Sequence, residues 1–331
     1  MKKVACLFVE KVYQKNAIFY IKSPLNRDNC LEFFHELKKQ FSQYNIDLQT
    51  QDLCSLEEAQ FILYSDIPKN IKYPEKSNLL LFESELIRPN NWNLKNHKSF
   101  KNIFTWNDNF VDNIKYFKFN FTHAGDIPFK NFSEKTKFCT LIAGNKYVSH
   151  PLELYSKRIE AINWFEKYHS DQFEFYGMGW NLYTFTIPIL SKALNRLKPL
   201  RKLFTKKWPQ YRGTIENKLE VLQNYKFSIC YENAAELPGY ITEKIFDSLA
   251  AGCVPIYWGA PNIAEFIPQT CYINKTDFKT YEELYDYLSS MTEEQYNSRL
   301  AAIKQYLSSS QHQLFEPGYI AKIVVERLKN A

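Results

Sequence analysis

The residues best suited by type and spacing to chemistry lie between Tyr225 and Gly259. A buried strand, Tyr225 to Tyr231, ends in Glu232-Asn233; a loop holding Pro238-Gly239 then delivers the chain to Thr242, Glu243 and Lys244, and Gly252 follows. Threonine is a good helix N-cap and glycine a common C-terminal stop, so this pattern predicts a strand, a loop and a helix over Thr242 to Ala251. Free N–H groups and the dipole at such a helix start favour a diphosphate. Lys244 opposes the usual preference for acidic residues in a first turn and raises the local positive potential, which suits a bound anion. Glu243 could accept hydrogen bonds from sugar or ribose hydroxyls. Taken alone, these two residues are better read as a surface Glu-Lys pair on an ordinary helix.

Parallel strands must position such a run, because in parallel α/β sheets ligands sit beyond the carboxyl ends of the strands. The chain supplies them. Strand-like segments at Lys3 to Val9, Ala59 to Leu63, Ser77 to Phe82 and Lys101 to Thr105 surround a helical pattern at Leu31 to Tyr44, where Leu31, Phe34, Leu37 and Phe41 follow the 3.6 period. The pattern breaks between Asn120 and Lys135, which marks a domain boundary. It restarts with strand Thr136 to Ala143, helix Glu153 to Tyr168 and strand Phe173 to Tyr176. Beyond the segment Trp180 to Arg212 come helix Ile215 to Asn224, strand Tyr225 to Tyr231, the helix already described, strand Val254 to Trp258 and strand Thr270 to Ile273. At 331 residues two domains are expected, and 45% hydrophobic with 24% charged residues excludes a disordered or membrane-embedded chain.

The net charge of +6 is local. From Met178 to Ile215 there is no Asp or Glu, and the eight basic residues there leave 34 basic against 36 acidic elsewhere, which disfavours a nucleic-acid binder. Apolar residues from Ile187 to Phe204 alternate with Lys and Arg, so residues 186–208 read either as a basic amphipathic helix touching an anionic membrane or as a helical excursion on the second domain. The seven cysteines, odd in number, widely spaced and mostly among apolar neighbours, read as buried free thiols of a reducing compartment. The apolar run Val4 to Val9 is too short for a signal sequence, and a cytoplasmic protein, peripheral at most on the inner membrane face, is expected.

The whole pattern, Tyr225-Lys226-Phe227, Tyr231-Glu232-Asn233, Tyr240-Ile241-Thr242-Glu243-Lys244 and Gly252-Cys253-Val254-Pro255, closely resembles the donor-binding signature of glycosyltransferase family 10, the α-1,3/4-fucosyltransferases. Thr140 to Asn145 with Arg158, Tyr211 to Gly213, Lys218 to Glu220 and Phe104 to Asn107 add shorter similarities. The resemblance implies a GT-B-like α/β fold: two Rossmann-like parallel domains with a cleft between them. Residues 1–130 would bind acceptor and 131–312 the nucleotide sugar, with the basic insertion at about 181–212. The helix in 313–331 would pack back on the first domain. GDP-fucose would be the donor, in an inverting transfer to a hydroxyl, O3 of GlcNAc or Glc, of an oligosaccharide acceptor that a lipid could carry.

By the same resemblance Asn145, Glu232, Asn233, Tyr240, Thr242, Glu243 and Lys244 would line the donor site. Arg158 would meet the diphosphate, or else be a solvated helix arginine. Fixed positive charge would then stabilise the leaving group, with no cofactor required and a divalent cation at most stimulatory; no Asp-x-Asp metal motif occurs. The family's base is a Glu after a first-domain strand, in a Glu-Ser-Pro context. Here Leu79 to Phe82 leads into Glu83-Ser84-Glu85, which makes Glu83 the candidate and Glu85 its alternative. Two other readings stay open: a GT-B transferase for another nucleotide sugar, and a glycan-binding module without turnover.

Overall fold

The structure, a computed structural model, describes residues 3–123, 125–182 and 207–330. It divides into two compact units, Met1–Gly125 with Pro238–Glu243 and Ser310–Ala331, and Asp126–Leu237 with Lys244–Ser309. Neither unit is continuous in sequence. The segment Pro238–Glu243 leaves the second unit in the middle of the donor-like signature and belongs to the first, an interruption that the expected 131–312 domain did not contain.

The first unit holds a sheet of six strands, β1 (Lys3–Phe8), β2 (Ile46–Thr50), β3 (Phe61–Tyr64), β4 (Ser77–Leu81), β5 (Asn102–Thr105) and β6 (Tyr116–Lys118), in the order β2-β1-β3-β4-β5-β6. Every pairing is parallel. The central strand β4 is buried along its whole length, as a strand covered on both faces must be. On one face the helix Glu32–Gln43 turns Phe33, Leu37 and Phe41 inward, one per turn, against Ile320, Ala321, Val324, Val325 and Leu328 of the C-terminal helix Pro317–Asn330. Strands β2 and β6 have no counterpart among the sequence expectations.

The second unit is built on a sheet of five parallel strands, β7 (Lys137–Ile142), β8 (Phe173–Tyr176), β9 (Tyr225–Tyr231), β10 (Val254–Trp258) and β11 (Ile273–Asn274), ordered β11-β10-β9-β7-β8. Expected strands at Phe173 to Tyr176, Tyr225 to Tyr231 and Val254 to Trp258 appear with those limits. The last strand is shifted, because Gln269–Cys271 winds into a 3-10 turn first. The helix expected over Ile215 to Asn224 contracts to Lys218–Leu222, capped by the Asn217 side chain.

Two expectations need correction or remain outside the description. Cys6 and Cys54 form a disulfide between β1 and the turn after β2, so not all cysteines are free thiols; Cys30 is exposed, while Cys139, Cys230, Cys253 and Cys271 are buried and free. The basic amphipathic stretch read at Ile187 to Phe204 lies within 183–206, outside the described residues. Among those described, no helix is long and apolar enough to cross a membrane.

Candidate functional site

Parallel pairing brings the carboxyl ends of β7, β9 and β10 to one edge of the second sheet. Glu232 and Asn233 leave β9 there, Gly259 leaves β10, and Asn145 follows β7. From the helix Tyr155–Tyr168, Arg158 reaches this edge. Its Nη2 donates to the carbonyl oxygens of Tyr231 and Glu232, each at 2.7 Å, and to Asn233 Oδ1 at 3.1 Å. The guanidinium also lies over the Tyr155 ring, 4.8 Å from its centre, and the residue is only 4% exposed. Arg158 is therefore not a solvated helix arginine; it braces the end of β9 and turns the amide oxygen of Asn233 inward.

Glu232 has no exposed surface, and its Oε2 stands 3.2 Å from Nζ of Lys244 in the first turn of the helix Glu243–Ala250. The cation that seemed anomalous in a first turn thus has a buried carboxylate behind it. In this geometry Glu232 holds Lys244. Space for the carboxylate depends on Gly259, since a Cβ there would fall 2.5 Å from both Glu232 Cγ and the Tyr257 hydroxyl. Arg158, Glu232, Asn233 and Lys244 are brought together in this way. The hydrogen bonds of Asn145 run instead to the carbonyls of Met178 and Gly179.

Tyr240, Thr242 and Glu243 sit in the first unit. Tyr240 and Thr242 are buried, and the Tyr240 ring packs 4.7 Å from Trp106 and edge-on to Phe121 at 5.7 Å. Trp106 donates its indole N–H to the carbonyl of Phe82, the residue before Glu83, at 3.0 Å. Trp92 donates to the carbonyl of Glu83 itself at 2.9 Å, and the two indoles are 4.9 Å apart. Glu83 and Tyr240 are thereby tied to one pair of aromatic side chains. Glu83 is half-buried, Ser84 fully buried and Glu85 exposed.

One carboxylate escaped the sequence reading. Asp66 follows β3 at the same edge, receives a hydrogen bond from Asn91 Nδ2 at 2.6 Å and lies 3.8 Å from Arg88. Burial pushes it up to about 6, against the Asn91 hydrogen bond and the Arg88 charge, with Glu83 and Glu10 adding to the rise. Nothing in the local sequence marks it, because its partners are remote: Glu83, Arg88 and Asn91 follow β4, and Glu10 follows β1. Among the described residues no group of three His, Cys, Asp or Glu side chains is placed to hold a metal ion.

Two parallel α/β units, with six and five strands, match the GT-B class of glycosyltransferase folds. Within that class, residues 191–313 match the model of glycosyltransferase family 10 (fucosyltransferase), C-terminal region. A crystal structure of an α1,3-fucosyltransferase with GDP has the same fold, with a TM-score of 0.57 and 16% identity over 99% of this chain and 91% of that one. The Anabaena protein HepE, in complex with UDP and glucose, gives 0.54 and 11% over 99% and 100%. In sequence, the α-(1,3)-fucosyltransferase FucT of Helicobacter pylori is 42% identical over 74 residues, 22% of this chain and 15% of that protein. The α-(1,3)-fucosyltransferase B of Drosophila melanogaster is 37% identical over 99 residues, 29% and 20% respectively. The matched stretches span a fifth or less of these relatives.

Proposed function

We propose that this chain is an inverting fucosyltransferase that moves L-fucose from GDP-fucose to a hydroxyl, O3 of GlcNAc or Glc, of a glycan acceptor. The observation that carries the reading is Lys244, set in the first turn of Glu243–Ala250 by the buried Glu232, beside an Asn233 that Arg158 braces. Positive charge fixed in this way before substrate arrives can stabilise a departing diphosphate without reorganising. Lys244 contacts the diphosphate, and Arg158 acts from behind it. Tyr240, Thr242 and Glu243 bind the nucleotide sugar, Glu243 accepting from its hydroxyls.

Glu83 is the base. As the acceptor oxygen attacks the anomeric carbon, the carboxylate takes the hydroxyl proton, and the bond from that carbon to GDP breaks with its electron pair on the diphosphate. Anchoring of its backbone by Trp92, and its half-buried position beside an exposed Glu85, favour Glu83 over Glu85. No metal is needed in this scheme, and added divalent cation at most stimulates.

The test is GDP release from GDP-fucose, with UDP-sugars in parallel, over a panel of GlcNAc- and Glc-containing acceptors. Acceptor-dependent release from GDP-fucose alone is expected; release only from another nucleotide sugar, or none with any acceptor, overturns the reading. A lipid-linked acceptor and membrane contact through residues 186–208 belong to the same proposal. Equal sedimentation with anionic liposomes of the chain with and without that segment would remove both.

A further inference from the structure

The donor-like run does not hold itself in place. Its first residues, Pro238 and Gly239, are fixed by the ends of β5 and β6. The Asp108 N–H donates to the carbonyl of Pro238 at 3.2 Å. Nζ of Lys118, the last residue of β6, donates to Asp108 Oδ1 at 2.6 Å and to the carbonyl of Trp106 at 2.9 Å. Gly239 lies against all three residues. A Cβ there would stand 2.2 Å from the Trp106 carbonyl oxygen, 2.7 Å from Asp108 Oδ2 and 2.7 Å from Lys118 Nζ, and its φ of +80° is one that side chains rarely adopt. The next residue, Tyr240, packs on the Trp106 ring.

We infer that Lys118 is a positioning residue for nucleotide-sugar binding: through Asp108 and the Trp106 carbonyl it builds the seat that Gly239 occupies, and so sets Tyr240, Thr242 and Glu243. Three observations point the same way. The ammonium makes two short hydrogen bonds while both partners of the ion pair are about one-quarter exposed, so it is held in one place and not free to swing in solvent. The seat it closes admits only a glycine. The residues that follow are those that the proposed function assigns to the donor. The Trp106 whose carbonyl Lys118 grips is also the side chain whose indole holds Phe82, so the seat and the candidate base share one anchor. The inference rests on the fucosyltransferase reading for the identity of the ligand, but the seat itself is independent of it.

The experiment compares wild type, Lys118→Met and Lys118→Arg by amide hydrogen exchange over residues 239–243, GDP titration calorimetry, and KM for GDP-fucose and for acceptor. Lys118→Met should speed exchange across Gly239 to Glu243, weaken GDP about tenfold and raise KM for GDP-fucose with KM for acceptor unchanged; Lys118→Arg, which keeps charge and donors, should recover most of both losses. Unchanged exchange in a folded Lys118→Met overturns the seat whatever the nucleotide result. Faster exchange with wild-type GDP affinity overturns its link to the donor. A wild type that binds no GDP contradicts the fucosyltransferase reading, while the exchange data still decide the seat. Should Lys118→Met fail to fold, Asp108→Asn, which keeps an acceptor for Nζ but removes the countercharge, should show the same changes at smaller size, and wild-type exchange in it counts against the seat.

Discussion

Asp66 carries a charge that the first unit would be more stable without. Its carboxyl titrates near 6 in the fold against 3.8 for the free side chain, so the folded state binds the proton more tightly. The stability linked to that proton is fully present below about pH 3.8 and is lost as pH rises through 6. Asp66→Asn should therefore stabilise the fold at pH 7.5 by on the order of 1–3 kcal/mol, with the gain gone by about pH 4. Unfolding of both proteins across that range checks the sign. At Lys244 the balance is opposite: Lys244→Met removes the cation 3.2 Å from the buried Glu232 carboxylate, which costs roughly 3–5 kcal/mol. Adding Glu232→Gln should restore most of the melting temperature but none of the GDP affinity, and calorimetry on the two variants separates these effects. The oddity of Lys244 was visible in the sequence because a cation in a first turn is out of place; its partner Glu232 was not, since that pairing depends on Gly259 making room from another strand.

Among the elements, strand β9 and the helix Glu243–Ala250 carry the proposed site, and the guanidinium of Arg158 joins helix Tyr155–Tyr168 to the strand's end. Nη2 reaches its acceptors while the planar guanidinium lies over the Tyr155 ring, 4.8 Å from its centre, a placement that a lysine ammonium, for all its three donors, does not reproduce. Arg158→Lys should accordingly lose GDP affinity by about tenfold or more despite keeping the charge; full recovery by lysine in a titration would mean that charge alone matters. Strand β9 was readable to the residue because the mainly apolar run Tyr225, Phe227, Ile229, Cys230 and Tyr231, bounded by Asn224 and Glu232, marks a largely buried strand. Strand β6, only Tyr116–Lys118, is too short to show any period. The helices Tyr281–Ser289 and Glu293–Leu307 are marked by caps, Thr280 on the Glu283 N–H and the Thr292 to Gln295 capping box, a signal that apolar periodicity passes over.

On the scale of the whole molecule, the chain returns twice to its first unit, once with Pro238–Glu243 and once with Ser310–Ala331. Local sequence shows neither return, because the partners are remote: Gly239 meets Trp106 and Lys118, and Leu328 shares a core with Phe33 and Phe41. The disulfide Cys6–Cys54, separated by 48 residues, was hidden for the same reason. Leu328→Ala should cost the first unit on the order of 2–5 kcal/mol, read as a lower urea midpoint for fluorescence probes in that unit. The central claim is that Glu83 removes the acceptor's proton while a preset positive site receives the diphosphate. Its most direct test is GDP release by wild type and Glu83→Gln, with GDP affinity measured on both. The account predicts acceptor-dependent release by wild type, a fall of about 100-fold or more in Glu83→Gln, and equal GDP affinity; wild-type turnover by Glu83→Gln would contradict it.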